Sequence, residues 1–227
     1  MNTDHWKYLY KIAEGGTTHT TNLLYTPMVN LEETIMCLIY DEAHEYQKDS
    51  SGLTKDLIDF FFEREVKYLE IFQSYKWAPK LLDVNFKNRT IFTEFYPNTI
   101  NRILMNKNRN LDIEYPDWKD QIFAILKDID QAGYYKMALY PHCFFFDKNS
   151  QLKTIDFYSC VEKDNCLIPR DKVEGLIGSD STGRFNNATV GSNVDFEIFF
   201  KTTMLTHLAQ RWPDNPFPEF YKELTNV

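Results

Sequence analysis

A chain of 227 residues can bury a substantial core, and its 43% hydrophobic and 16% aromatic content excludes a disordered or low-complexity protein. A net charge of −8, with no basic run, disfavours binding to nucleic acid or to anionic membranes through general electrostatics. The opening residues, Met1-Asn2-Thr3-Asp4-His5-Trp6-Lys7, lack the apolar core of a secretory leader, and no stretch reaches membrane-spanning length. The four cysteines, Cys37, Cys143, Cys160 and Cys166, have no C-x-x-C spacing, so a structural zinc is not expected and reduced thiols in a cytoplasmic protein are.

In chain order, Tyr8, Tyr10 and Ile12 alternate with Leu9 and Lys11, which predicts a strand, followed by a turn at Glu14-Gly15-Gly16-Thr17-Thr18. Residues 20–26 predict a second strand, stopped by Pro27, and the apolar run 34–40 a third, buried one. Residues 42–53 are polar and read as a loop. The spacing of Leu57, Ile58, Phe61, Phe62, Leu69 and Phe72 predicts a helix over 54–74, with Thr54 as its cap and Glu63 and Lys67 as an exposed i,i+4 pair. Glu65 falls on or beside the apolar face of that helix, where a carboxylate needs a partner.

Strands are then expected over 80–86 and 90–95, joined by the turn Lys87-Asn88-Arg89. After Tyr96-Pro97-Asn98 come a short helix over 99–106, a polar loop, and an amphipathic helix from Pro116 to about Gln131, with Trp118, Ile122, Ile125, Leu126 and Ile129 on one face. Phe144-Phe145-Phe146, the turn at Asp147-Lys148-Asn149-Ser150 and the run Leu152-Lys153-Thr154-Ile155 suggest a β-hairpin. Residues 179–193 read as a loop, 194–211 and 218–224 as helices. Strands, helix, strands, then helices with one hairpin predict an α+β fold with a small sheet part ahead of a mainly helical one.

This order, with the residues at its joints, resembles the protein-kinase-like superfamily over roughly residues 8–160. The resemblance implies a two-lobed fold: an N-lobe over 1–96 with five antiparallel strands and one helix, and a reduced, mainly helical C-lobe over 97–227. It makes Gly15 and Gly16 the glycine turn that approaches nucleotide phosphates, Glu65 the helix glutamate, Glu94 and Tyr96 nucleotide-side residues at the end of the fifth strand, and Asp156 of Ile155-Asp156-Phe157 the metal-binding aspartate. Asp195 matches an acid that braces the catalytic loop, and equally fits an ordinary acid at a helix N-terminus.

Three other positions depart from the family pattern. Leu38 stands where the phosphate-clamping lysine belongs, Ala138 replaces the base aspartate, and Cys143 replaces the second magnesium ligand. Ala138 cannot accept a proton, Leu38 cannot hold a phosphate, and a thiol is a poor ligand for a cation that wants hard oxygens. Lys136 and Lys11 are possible substitute cations, each expected instead to be a solvated surface lysine. His142 beside Cys143 suggests a base and nucleophile, but on an extended segment the two would face opposite ways.

The expected function is therefore that of a pseudokinase. It would act as a binding or regulatory module for another protein, with ATP and Mg²⁺ bound weakly or not at all, through the aromatic pair Phe95-Tyr96 or the loop 179–193. The alternative is a divergent but active ATP/Mg-dependent phosphotransferase.

Overall fold

The computed structural model describes residues 6–13, 20–27, 35–40, 55–96, 98–136, 138–169, 193–195, 197, 212, 216 and 217, with side chains from Ile58 onward. Gly15, Gly16, the loop 42–53, Thr54, nearly all of the loop 179–193 and the helix over 218–224 lie outside the described residues. The described part mixes α and β structure with small antiparallel sheets, and it clusters into two compact units. One comprises Met1–Pro97 with Lys153–Tyr158, the other Asn98–Leu152 with Ser159–Val227. The expected boundary at 96/97 thus lies one residue from the first division, whereas the return of Lys153–Tyr158 to the first unit was not foreseen.

In the first unit, β1 (Trp6–Ala13), β2 (Thr20–Pro27) and β3 (Ile35–Tyr40) precede helix α1 (Lys55–Phe72), and β4 (Leu81–Asn85) and β5 (Thr90–Glu94) follow it. The five strands form one sheet in the order β1-β2-β3-β5-β4, antiparallel throughout. Leu38 lies opposite Asn22 on β2 and Ile91 on β5. Helix α1 runs against β3 and β4 and buries Ile58, Phe61, Phe62, Val66, Tyr68, Leu69 and Phe72, the face that the apolar spacing predicts. Arg89 closes the β4–β5 turn at φ 47° and pairs with Asp59 of α1 at 2.5 Å.

The second unit begins with three helices, α2 (Ile100–Met105), α3 (Leu111–Glu114) and α4 (Trp118–Gln131). Thr99 caps α2 by accepting from the Arg102 amide. The predicted polar loop contains α3, because the Asn110 side chain accepts from the amides of Asp112 and Ile113 and starts one helical turn. Strand β6 (Tyr134–Lys136) follows α4, and strands β7 (Phe144–Phe146) and β8 (Leu152–Thr154) form on either side of the expected turn. There Asp147 accepts from the amides of Asn149, Ser150 and Gln151 through its side chain or carbonyl. Strand β9 (Cys160–Glu162) pairs with β6, and β10 (Leu167–Pro169) pairs with β11 (Asn193–Asp195).

That last pair corrects only the start of the helix read over 194–211, whose residues 196 and 198–211 lie outside the described residues. Val194 bonds in the ladder opposite Ile168, and Asp195 Oδ1 then accepts from the amide of Glu197, which is helical. Trp212 anchors the later chain in the second unit. Its indole donates to the Leu139 carbonyl at 2.8 Å, stacks on Trp118 and meets the edges of Phe144 and Phe217. Among the described residues no helix is long and apolar enough to cross a membrane.

Candidate functional site

The site is built around the segment that returns to the first unit. Strand β8 ends in Lys153 and Thr154, both buried, and Thr154 donates its amide to the Trp77 carbonyl at 3.2 Å. Lys153 carries a cation into this apolar setting and satisfies it there: Nζ donates to the carbonyls of Lys76 (3.0 Å) and Ala78 (3.3 Å) and lies 3.5 Å from Glu94 Oε2. Sequence reasoning missed this role. The signal was available, since Lys153 is the one charge in Leu152-Lys153-Thr154-Ile155, as Glu65 is a charge on an apolar face.

Asp156 follows at φ 65°, half-buried. Aspartate is among the few residues other than glycine that tolerate the left-handed region, and a residue stays there when its surroundings fix it. Here they do so on the C-terminal side. Phe157 is fully buried, with its ring 5.4 Å from that of Phe72 and 6.1 Å from that of Trp77. Tyr158 is held at both main-chain groups by consecutive residues of α1: its amide donates to Glu65 Oε2, and its carbonyl accepts from Arg64 Nε at 2.8 Å. Its ring packs edge-on against Phe61 at 5.7 Å. The Arg64 guanidinium also lies over the rings of Phe60 and Tyr68.

This arrangement accounts for Glu65. Only 2% exposed, its carboxylate receives a main-chain amide, so the first unit brings Glu65 to the segment of Asp156. Glu94 and Tyr96 are also brought together, the Tyr96 hydroxyl donating to Glu94 Oε1 at 3.2 Å. With the Lys80 amide 3.3 Å from Oε2 and Lys153 beside it, both Glu94 oxygens are engaged within the unit. Phe95 is 1% exposed, so the expected docking role of Phe95-Tyr96 is corrected for Phe95: its ring belongs to the core.

Ala138 and Cys143, two of the positions that depart from the kinase-like pattern, belong to the second unit. Ala138 is buried, and its amide donates to Ser159 Oγ at 3.1 Å. Cys143 is fully buried and, like Cys160 and Cys166, is not in a disulfide. Residues 141–143 form a single 3-10 turn after Tyr140, which corrects the extended segment assumed for His142 and Cys143. The opposite facing expected of the two is corrected as well: His142 is exposed with its ring stacked on Tyr140 at 5.3 Å and Cys143 is fully buried, yet an imidazole nitrogen of His142 lies within 4.8 Å of Cys143 Sγ. Lys136 is 2% exposed, which corrects the solvated lysine expected there; its strand β6 is ordered by β9 and packed on α4. Lys11 and Leu38 are described in backbone only.

Chemically, the Asp156 segment offers a carboxylate on a left-handed turn fixed by its neighbours in the first unit, while Ala138 carries only a methyl group and Cys143 a buried thiol. No protein-family model matches the chain, and no curated protein matches it.

Proposed function

We propose that this chain is a kinase-like protein of the pseudokinase type, a cytoplasmic binding or regulatory module without efficient phosphoryl transfer. One observation carries the reading. A five-stranded antiparallel sheet in the order β1-β2-β3-β5-β4, with a helix between β3 and β4, presents Glu65 of that helix to the backbone just beyond Asp156. The sheet order and the joint between helix and aspartate segment both agree with the kinase-like resemblance. The chemistry argues against turnover: Leu38, Ala138 and Cys143 leave no clamp for phosphate, no acceptor for the nucleophile's proton and no second hard ligand. Losses of groups that act together reduce rate by many orders of magnitude.

The test is a phosphoryl-transfer and ATP-hydrolysis assay on the full chain with Mg²⁺, run beside a thermal-shift titration with ATP and Mg²⁺ separately and together. No turnover is expected, with little or no nucleotide-dependent stabilisation. ATP turnover that disappears in Asp156→Ala would overturn the proposal in favour of a divergent phosphotransferase.

A further inference from the structure

The second unit carries more apolar surface on α2 and α3 than its own packing uses. Ile100 and Ile103 are fully buried and Leu111 nearly so, which suffices to seat both helices. Yet Leu104 is 36%, Met105 77% and Ile113 77% exposed, on two helices that pack against each other. Three large apolar side chains exposed on two packed helices are a liability unless something covers them, and methionine adapts well to a partner surface.

The backbone beneath them is pre-shaped. Asn106 N–H closes α2 on Ile103 O at 3.1 Å, and Asn106 accepts from the amides of Asn108 and Arg109. Asn110 caps α3. The Arg109 guanidinium joins Asn98 Oδ1 at 2.7 Å to the Glu114 carboxylate. A surface ordered in advance loses less entropy on binding.

Charge selects the occupant. Residues 99–114 carry Arg102, Lys107 and Arg109 against Asp112 and Glu114, net +1, while the other 22 basic and 31 acidic residues give net −9 elsewhere. Arg102 and Lys107 are exposed beside Leu104 and Met105. The acids flanking Ile113 are already engaged, Asp112 by the Trp118 indole at 2.8 Å and Glu114 by Arg109. Exposed apolar side chains flanked by Arg102 and Lys107, on an otherwise acidic molecule, fit an acidic segment with apolar anchors.

We infer that α2, α3 and the loop joining them form a docking surface for an acidic segment of a partner protein, whose bulky apolar side chains cover Leu104, Met105 and Ile113. This gives the proposed binding role a location and a partner chemistry, and rests on that role rather than on the kinase-like resemblance.

The test is fluorescence anisotropy of the full chain with a labelled synthetic amphipathic peptide of leucine and glutamate, against a leucine/lysine and a serine/glutamate peptide of the same spacing. The leucine/glutamate peptide is expected to bind, and each control to bind at least about tenfold more weakly. M105S/I113S is expected to weaken binding about tenfold or more, and K107E to weaken it and flatten its salt dependence. These positions are exposed, so circular dichroism and the melting temperature should be unchanged in the variants.

No binding of the leucine/glutamate peptide, equal binding by M105S/I113S, or equal binding of the leucine/lysine peptide overturns the inference. So does a dimer seen by light scattering that M105S/I113S abolishes, which gives the face to a second copy of the chain. Phosphoryl transfer by the chain would sink the pseudokinase reading and leave these outcomes intact, so the two failures are distinguishable.

Discussion

Thr93 sits near the end of β5, 1% exposed, with its hydroxyl lacking any hydrogen-bond partner. A buried hydroxyl left unsatisfied costs about 1–3 kcal/mol, so Thr93→Val, which keeps the β-branched shape, is expected to stabilise the protein by about 1 kcal/mol. A higher urea midpoint at unchanged m-value would show it; a lower midpoint would mean the hydroxyl has an unrecognised role. Tyr135 of β6 makes a second residue-scale case. Burial first, then the charge and hydrogen bond of Glu197 and the charge of Asp130, push its phenol up to about 12. The folded state therefore holds the Tyr135 proton more tightly than the unfolded chain does. The stability this contributes is complete below pH 10 and is lost as pH rises from about 10 to about 12. Denaturant midpoints across that window should fall less steeply in Tyr135→Phe than in the parent; parallel profiles would rule out the linkage.

At the scale of elements, helix α4 ends in a way that can be tested at one residue. Ala132 returns its amide to Asp128 O, and Gly133 follows at φ 88°, donating to Asp130 O. A Cβ placed on Gly133 would meet nothing within 4 Å, so Gly133→Ala should cost only the left-handed backbone preference, about 1 kcal/mol. Gly133→Asn should cost less, and a loss well above that of alanine in denaturant unfolding would point to a hidden clash. The elements legible in the sequence were those whose period runs long enough to register. Helix α1, with seven buried apolar residues, and the five strands of the first sheet are examples. Helix α3 escaped because four residues carry no periodicity, and only the Asn110 cap could have announced it. The three-residue strands β6, β9, β10 and β11 escaped because partners distant in the chain make them. The same limit hid the depth of Lys136 and the role of Lys153, whereas Glu65 was legible as a charge on an apolar face although its partner, the Tyr158 amide, was not.

For the whole molecule, the division of the chain has a consequence for folding. The first unit is discontinuous: Lys153–Tyr158 belongs to it, although more than fifty residues of the second unit intervene. That short segment supplies the fully buried Phe157 ring between Phe72 and Trp77, the Tyr158 amide for Glu65, and the Lys153 ammonium for Glu94 and two loop carbonyls. Truncating a buried phenylalanine costs about 3–5 kcal/mol, a large part of the 5–15 kcal/mol typical of a domain, so Phe157→Ala should strongly lower the unfolding midpoint of the full chain. A fragment of residues 1–97 loses all of these contacts at once and leaves Glu65 without that main-chain donor. It is expected to show no cooperative thermal transition and little near-UV circular dichroism. Rejoining residues 153–158 to the fragment through a flexible glycine/serine linker should restore part of both signals, because the segment binds through its own side chains and backbone. A cooperative melt of the bare fragment would mean that the sheet and α1 are self-sufficient. Asp156 would then be held by the first unit without being needed to hold it together.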